Sequence, residues 1–325
     1  MWAAIRDPLA RAATSLGGQS QMSTDHWTAA RIRSALTPGA AIAALAHRLK
    51  NDPPSTDRPT RTHIPVTTGE LLLMPDESAD FVGVKIVSVS ALNGARGIPA
   101  IQGLYVLMDA DTLTPIATFN AAELTLMRTS AVSLLAVTHL DPAPSPHVVI
   151  VGSGPQALAH ADAAQVLQPQ RISIVARTPT GEARIMAAAR ARDIALEIGT
   201  SDDLDIADVI LCCSSSSTPV VRSEQVRNHT VVVAMGTHDP TARELDTALM
   251  ARAYVVVESR VVAQREAGDI VIAEAELGHS VIDLDLEELV NGAGGSRLTQ
   301  PAVFKSVGEA WEDLSIVRAL VSGSS

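Results

Sequence analysis

The chain has 325 residues, a formal net charge of −11, 46% apolar residues and only 2% aromatics. At roughly 100–200 residues per domain, two domains are expected, with cores built from Ala, Val, Leu and Ile. The acidic balance argues against a nucleic-acid or anionic-membrane binder and leaves small-molecule work; any anion site must be a local cluster of cations. Cys212 and Cys213 are neighbours, which a disulfide scaffold does not use, so they read as small apolar side chains ending a buried strand in a reducing cytoplasm.

No uncharged run approaches the ~18 apolar residues of a spanning helix. Arg6, Asp7 and Arg11 interrupt any secretory signal, and Met22 offers an alternative start. Residues 1–25 are therefore expected to be a mobile extension. Residues 26–50 have helical spacing of Ile32, Leu36, Ile42, Leu45 and Leu49, with Pro38 opening a second helix after Thr37. A proline-rich connection at 51–60 follows. Strand character then appears at Thr62–Val66, Glu70–Met74, Phe81–Val89 and Gly103–Asp109, and helix at about 120–139. This first part reads as an α+β layer, mostly antiparallel.

The pattern changes after Asp141-Pro-Ala-Pro-Ser-Pro146. Apolar runs at Val148–Val151, Ile172–Val175, Val209–Cys212, Val231–Ala234 and Tyr254–Val257 alternate with helical stretches, and a weaker run lies at Leu196–Ile198. Such alternation predicts a parallel sheet covered on both faces. The last helix is expected over about 303–321. The fold class is α/β: a Rossmann-type dinucleotide-binding domain over 142–302, plus an α+β substrate-binding and dimerisation domain from 26–141 and 303–325.

Gly152-Ser153-Gly154-Pro155-Gln156-Ala157 follows the first of these strands and opens a helix. Gly152 permits the tight turn, Gly154 lets the backbone approach a pyrophosphate, and Ala157 packs helix on strand. The helix N-terminus offers its N–H groups to the phosphates, and Pro155 suits the first helical position. After the second strand comes Ala176-Arg177-Thr178, with no carboxylate for a ribose 2′-hydroxyl. Arg177 suits a 2′-phosphate, and Thr178 adds a hydrogen bond. NADP(H) is favoured, with NAD(H) possible.

These residues, with Leu72-Leu-Met-Pro75, Gly83-Val-Lys85-Ile-Val, Gly103-Leu-Tyr-Val-Leu, Leu124-Thr-Leu-Met-Arg128-Thr-Ser-Ala-Val, Arg243-Glu-Leu-Asp246 and Phe304-Lys-Ser-Val-Gly308, resemble the ornithine cyclodeaminase/μ-crystallin family. The resemblance runs from about residue 26 to the C-terminal region. It implies a homodimer built on the first domain and the last helix, with an active site between the domains. It implies that Arg61, Lys85 and Arg128 bind the substrate carboxylate, although Arg58 lies three residues from Arg61. Arginine supplies a two-pronged donor for a carboxylate. Lys85 adds a charge and a proton source; within its apolar strand it points either at solvent or into a cleft. The resemblance further assigns Ser214, Met235, Gly236, Ser306 and Gly308 to the cofactor.

Two departures bear on the reaction. Where cyclodeaminases of the family carry an Asp before Pro240, the chain has His238, with Asp239 one residue late. Where they carry an acid before Leu-Met-Pro, it has Leu72. His238 is either a proton donor or a loop residue contacting cofactor. The resulting expectation is an NAD(P)H-dependent reductase of cyclic or open α-imino acids, such as pyrroline-2-carboxylate or piperideine-2-carboxylate, or the reverse amino-acid dehydrogenase. The alternatives are an ornithine-cyclodeaminase-like lyase releasing ammonia and a cofactor-binding protein without a main catalytic role. No metal is expected.

Overall fold

A computed structural model describes residues 24–54, 61–293 and 299–323. The expected extension lies almost wholly outside the described residues, as does Arg58. Two sheets organise the chain. The first has six strands in the order β1-β6-β5-β4-β3-β2, where β1 is Asp25–Trp27, β2 Thr62–Val66, β3 Gly69–Glu77, β4 Phe81–Val89, β5 Ile101–Asp109 and β6 Pro115–Asn120. It is antiparallel except where β1 joins β6 in parallel. The helical reading from residue 26 therefore needs correction: residues 26–27 lie in a strand, and the helix begins at Ala29 after its Thr28 cap. The strand at 115–120 was also missed.

The second sheet is parallel, in the order β13-β12-β14-β11-β10-β7-β8-β9. Its strands are β7 His147–Val151, β8 Arg171–Val175, β9 Glu197–Ile198, β10 Val209–Cys212, β11 Val231–Ala234, β12 Tyr254–Val257, β13 Leu284–Asp285 and β14 Ala302–Lys305. Every residue of β7, β10, β11 and β14 is buried, as a sheet covered on both faces requires. The last strand corrects the helix expected over 303–321. Residues 302–305 form β14 between β11 and β12, and the helix runs only over Ala310–Ser322.

That rearrangement positions the site. The chain leaves β14 at its carboxyl end, passes through Ser306, Val307 and Gly308, and enters the helix Ala310–Ser322. This helix packs against β3 and β4 of the other sheet and against the helices Pro38–Asn51 and Ala121–His139. Buried residues of both sheets and these helices form one continuous apolar cluster, including Tyr105, Phe119, Leu134, Ile150, Phe304 and Leu314. Among the described residues, no helix is long and apolar enough to cross a membrane.

Candidate functional site

A cavity of about 530 Å³ opens between the carboxyl ends of the parallel strands and one face of the six-stranded sheet. It is lined by Gly152–Gln156, Arg177, Thr178, Ser214, Met235, Gly236, His238 and Ser306 on one side. Arg61, Lys85 and Arg128 line the other side. Seventeen residues were singled out from sequence for cofactor, substrate or catalysis; all but Ala157 and Gly308 line the cavity.

The glycine turn is shaped for a close approach. Gly152 has φ +134°, and a Cβ there would stand 2.4 Å from the Cys213 carbonyl oxygen, so a side chain is excluded. Its N–H donates to Val175 O at 2.9 Å, tying the turn to β8. A Cβ on Gly154 would meet nothing within 4 Å, since that face is open to the cavity. The helix Pro155–Ala163 begins there without a side-chain cap, leaving its first N–H groups for a ligand. Ala157 is fully buried, as expected of a helix–strand contact. Gln156 Oε1 is buried without a partner. The glycine turn and the uncapped helix start fit a dinucleotide pyrophosphate.

Beyond β8, Thr178 caps the helix Pro179–Arg190, its Oγ1 accepting from Gly181 N at 3.1 Å. Arg177 is exposed and has no hydrogen bond or ion pair among the described residues. A second guanidinium, missed from sequence, lines the same cavity: Arg184 donates from Nη2 to Ser153 O at 3.2 Å. Cys213 also lines the cavity, so only Cys212 is the fully buried packing residue expected of both.

A buried carboxylate braces each remaining loop. Glu244 accepts from Ser214 Oγ at 2.6 Å and from Gly236 N at 2.7 Å; burial pushes it up to about 7, against the nearby Lys305 ammonium. Glu258 accepts from Ser306 Oγ at 2.6 Å and from the N–H groups of Val307 and Gly308 at 2.9 and 2.6 Å. Gly308 has φ +83°, and a Cβ would stand 2.2 Å from Arg128 Nη1, so only glycine lets that guanidinium in.

The three cations converge from distant elements. Lys85 on β4 is 1% exposed, and of its two expected orientations the cleft is the one found. Its Nζ lies 2.7 Å from Asp313 Oδ2. Arg128, on the helix Ala121–His139, donates from Nη1 to Glu312 Oε2 at 2.8 Å. Arg61 pairs with Glu266 at 3.2 Å and donates from Nη2 to the carbonyls of Val307 and Gly308 at 2.8 and 2.7 Å. These bonds leave donors over. Nε of Arg61, Nε of Arg128 and Oγ1 of Thr125 and Thr129 are buried without partners, and all four residues line the cavity. Buried polar atoms in native proteins are seldom left so, and donors with hydroxyls at hand suit a ligand carboxylate.

Burial works against the Arg128 charge, but Glu312, Asp313 and Glu258 outweigh it and raise its pKa. Burial pulls the Lys85 ammonium down to about 8, while Asp313 resists. His238 stands at the open side of the cavity, where partial burial and then Arg61 lower its pKa. Asp239 does not line the cavity. Its Oδ1 accepts from Thr241 N and Oγ1 at 2.8 and 2.7 Å, closing a local turn. Glu258, Glu266, Glu312 and Asp313 were missed from sequence, and Glu244, quoted there within the block Arg243–Asp246, had no role assigned.

A parallel sheet with a glycine turn at the end of its first central strand, facing a buried trio of cations, defines a two-sheet protein of the Rossmann class. The chain belongs to the ornithine cyclodeaminase/mu-crystallin family, whose model matches residues 22–322. It is 32% identical over 264 residues to a Delta(1)-pyrroline-2-carboxylate/Delta(1)-piperideine-2-carboxylate reductase of Azospirillum brasilense, covering 80% of this chain and 83% of that protein. It is 30% identical over 277 residues to ketimine reductase mu-crystallin of Rattus norvegicus, covering 84% and 87%. In fold it is similar to a Thermococcus litoralis Delta(1)-pyrroline-2-carboxylate reductase solved with NADH and L-proline. The TM-score is 0.85 at 24% identity, over 93% of this chain and 97% of that one.

The Lys85 charge has a testable consequence. Affinity for a small carboxylate such as pyrrole-2-carboxylate, measured by calorimetry, is expected to fall as pH rises through about 8, where Lys85 loses its proton. Asp313→Asn removes the anion that resists this loss, so the fall moves to lower pH. An affinity flat across that range in both proteins contradicts the assignment.

Proposed function

We propose that this chain is an NAD(P)H-dependent reductase of α-imino acids, working on the C=N bond of cyclic substrates such as pyrroline-2-carboxylate or piperideine-2-carboxylate, or of open imines. The observation that carries the reading is the convergence of Arg61, Lys85 and Arg128 on the cavity that also holds the glycine turn. The reductase names of the relatives support it.

A nicotinamide held at the glycine turn would supply hydride for the imine carbon. The protein's own task is orientation. Arg61 and Arg128 grip the substrate carboxylate with the donors their buried carboxylates leave free. Lys85 adds charge to that grip. With its pKa brought near 8 by burial, Lys85 Nζ is also suited to hand a proton to the imine nitrogen, so hydride and proton together yield the amine. His238, at the mouth, is the alternative proton donor. Neither Leu72, a buried apolar residue, nor Asp239, engaged with Thr241, offers a carboxylate to an ω-amino group. That favours reduction over cyclodeamination.

NADP(H) is the proposed preferred cofactor, because Arg177 is unpaired among the described residues, Arg184 lines the same cavity, and no carboxylate of β8 competes. The six-stranded sheet with the helix Ala310–Ser322 is proposed as the substrate-binding and dimerisation unit, and the parallel sheet as the dinucleotide-binding unit. Two copies are proposed to meet through the sheet face opposite Lys85. On that face Ile86 stands in register with Leu104, and Ile64 and Val66 lie on the edge strand across Leu71 and Gly69; all four apolar side chains are exposed, a patch of the kind that marks an interface.

Mixing the protein with NADPH and pyrroline-2-carboxylate is expected to consume NADPH, followed by absorbance, while ornithine releases no ammonia. Arg177→Ala is expected to weaken NADPH binding about tenfold or more, as loss of a charge-assisted bond does, with NADH little changed. Ammonia from ornithine without net reduction supports the lyase instead. In sedimentation the protein is expected at twice the chain mass, and Ile86→Glu combined with Leu104→Glu at the chain mass; an unchanged dimer contradicts the proposed face.

A further inference from the structure

On the six-stranded sheet the cavity wall runs past Lys85 farther than a pyrroline ring requires, and that stretch is apolar. Lys85 lies on β4, and side chains on a strand return to the same face every second residue. Val87 and Val89 therefore follow Lys85 on the cavity face, and both line the cavity. Across the sheet, Met74 is in register with Lys85, Leu72 with Val87, and Ile101 with Val89, and all three line the cavity too. Four residues of strand span about 13 Å. A five- or six-membered ring held by its carboxylate fills only the part next to Lys85. Gly103, opposite Val87, puts no side chain into the trough, and a Cβ there would stand 2.9 Å from Val87 Cγ1. The one carboxylate in register at the far end, Glu70 opposite Val89, does not line the cavity and is bonded to His63 at 3.0 Å.

Resting on the reductase reading, we infer that the site selects α-imino acids with a long, uncharged aliphatic or aryl side chain, which lies along the trough formed by Leu72, Met74, Val87, Val89 and Ile101. None of these five residues offers a partner to a charged side chain, which has to give up its water against them, a cost that disfavours ω-amino, ω-guanidino and ω-carboxylate substrates. An apolar chain gains with each methylene it buries.

The test is a series of imines formed from methylamine and 2-oxo acids, with pyrroline-2-carboxylate as reference. The kcat/KM for the 2-oxohexanoate imine is expected to exceed that for 2-oxobutanoate about tenfold or more. The phenylpyruvate imine is expected to turn over well, and those of 2-oxoglutarate and 5-guanidino-2-oxopentanoate poorly. Val87→Asp is expected to erase the gain with chain length; Val89→Ser, at the more open end, gives the same readout in smaller measure should Val87→Asp fail to fold. Turnover of pyrroline-2-carboxylate with a flat or falling series overturns this inference and leaves the reductase reading standing. Preference for the guanidino acid also overturns it and points to Glu70. No turnover of any member overturns the reductase reading and this inference with it.

Discussion

Three cations are held out of water by carboxylates from elsewhere in the chain, and the cavity depends on that exchange. Lys85 faces Asp313, Arg128 faces Glu312 and Arg61 faces Glu266. Removing one partner of a buried pair typically costs about 3–5 kcal/mol, because an unpaired charge remains. The pairs therefore bind the strand of Lys85, the helix of Arg128 and the segment of Arg61 to the helices Arg260–Glu266 and Ala310–Ser322. Each pair is also incomplete as a hydrogen-bonding arrangement. The carboxylates fix the cations in place without using all their donors, so unspent N–H groups persist at the cavity.

The strand β14 makes this arrangement possible. It lies between β11 and β12, so the chain emerges at the carboxyl end of the parallel sheet, where the glycine turn also sits. From there Ser306, Val307 and Gly308 are held by Glu258, and the next five residues deliver Glu312 and Asp313 to the other sheet. One short segment thus sets the distance between the dinucleotide turn and the cationic pocket. The positive φ of Gly308 is the local requirement, since any side chain there collides with Arg128.

Much of this was legible in the sequence. The apolar runs of the parallel sheet and the glycine turn rest on local patterns, and local patterns survive into the structure almost unchanged. Lys85 inside Val-Gly-Val-Lys-Ile-Val was an anomaly whose only physical resolution was solvent or a cleft. Other features depend on long-range pairing. Ala302–Lys305 is too short for a two-residue period to separate it from the following helix. Glu312 and Asp313 sit in the first turn of a helix, where acids ordinarily face water and favour the helix dipole. Only their burial against residues about two hundred positions away gives them a role. Arg184 needed the helix after β8 to turn it toward Ser153, and no spacing rule encodes that. At residues 26–27, the helical spacing further along concealed a strand that exists because β6 offers it an edge.

Departures from the cyclodeaminase pattern acquire a physical meaning in this setting. Leu72 belongs to an apolar wall rather than being an isolated loss of charge, and Asp239 is committed to its own turn. The cationic pocket remains intact while the pocket's other end has become hydrocarbon. Arg61, Lys85 and Arg128 are together proposed to bind an α-carboxylate beside the dinucleotide. Calorimetric titration of Arg128→Met with pyrrole-2-carboxylate, in the presence of saturating NADPH, tests it most directly. NADPH binding is expected to persist while carboxylate affinity falls by two orders of magnitude or about 3 kcal/mol, as loss of a charge-assisted pair implies. Unchanged carboxylate affinity in a folded, NADPH-binding variant contradicts it.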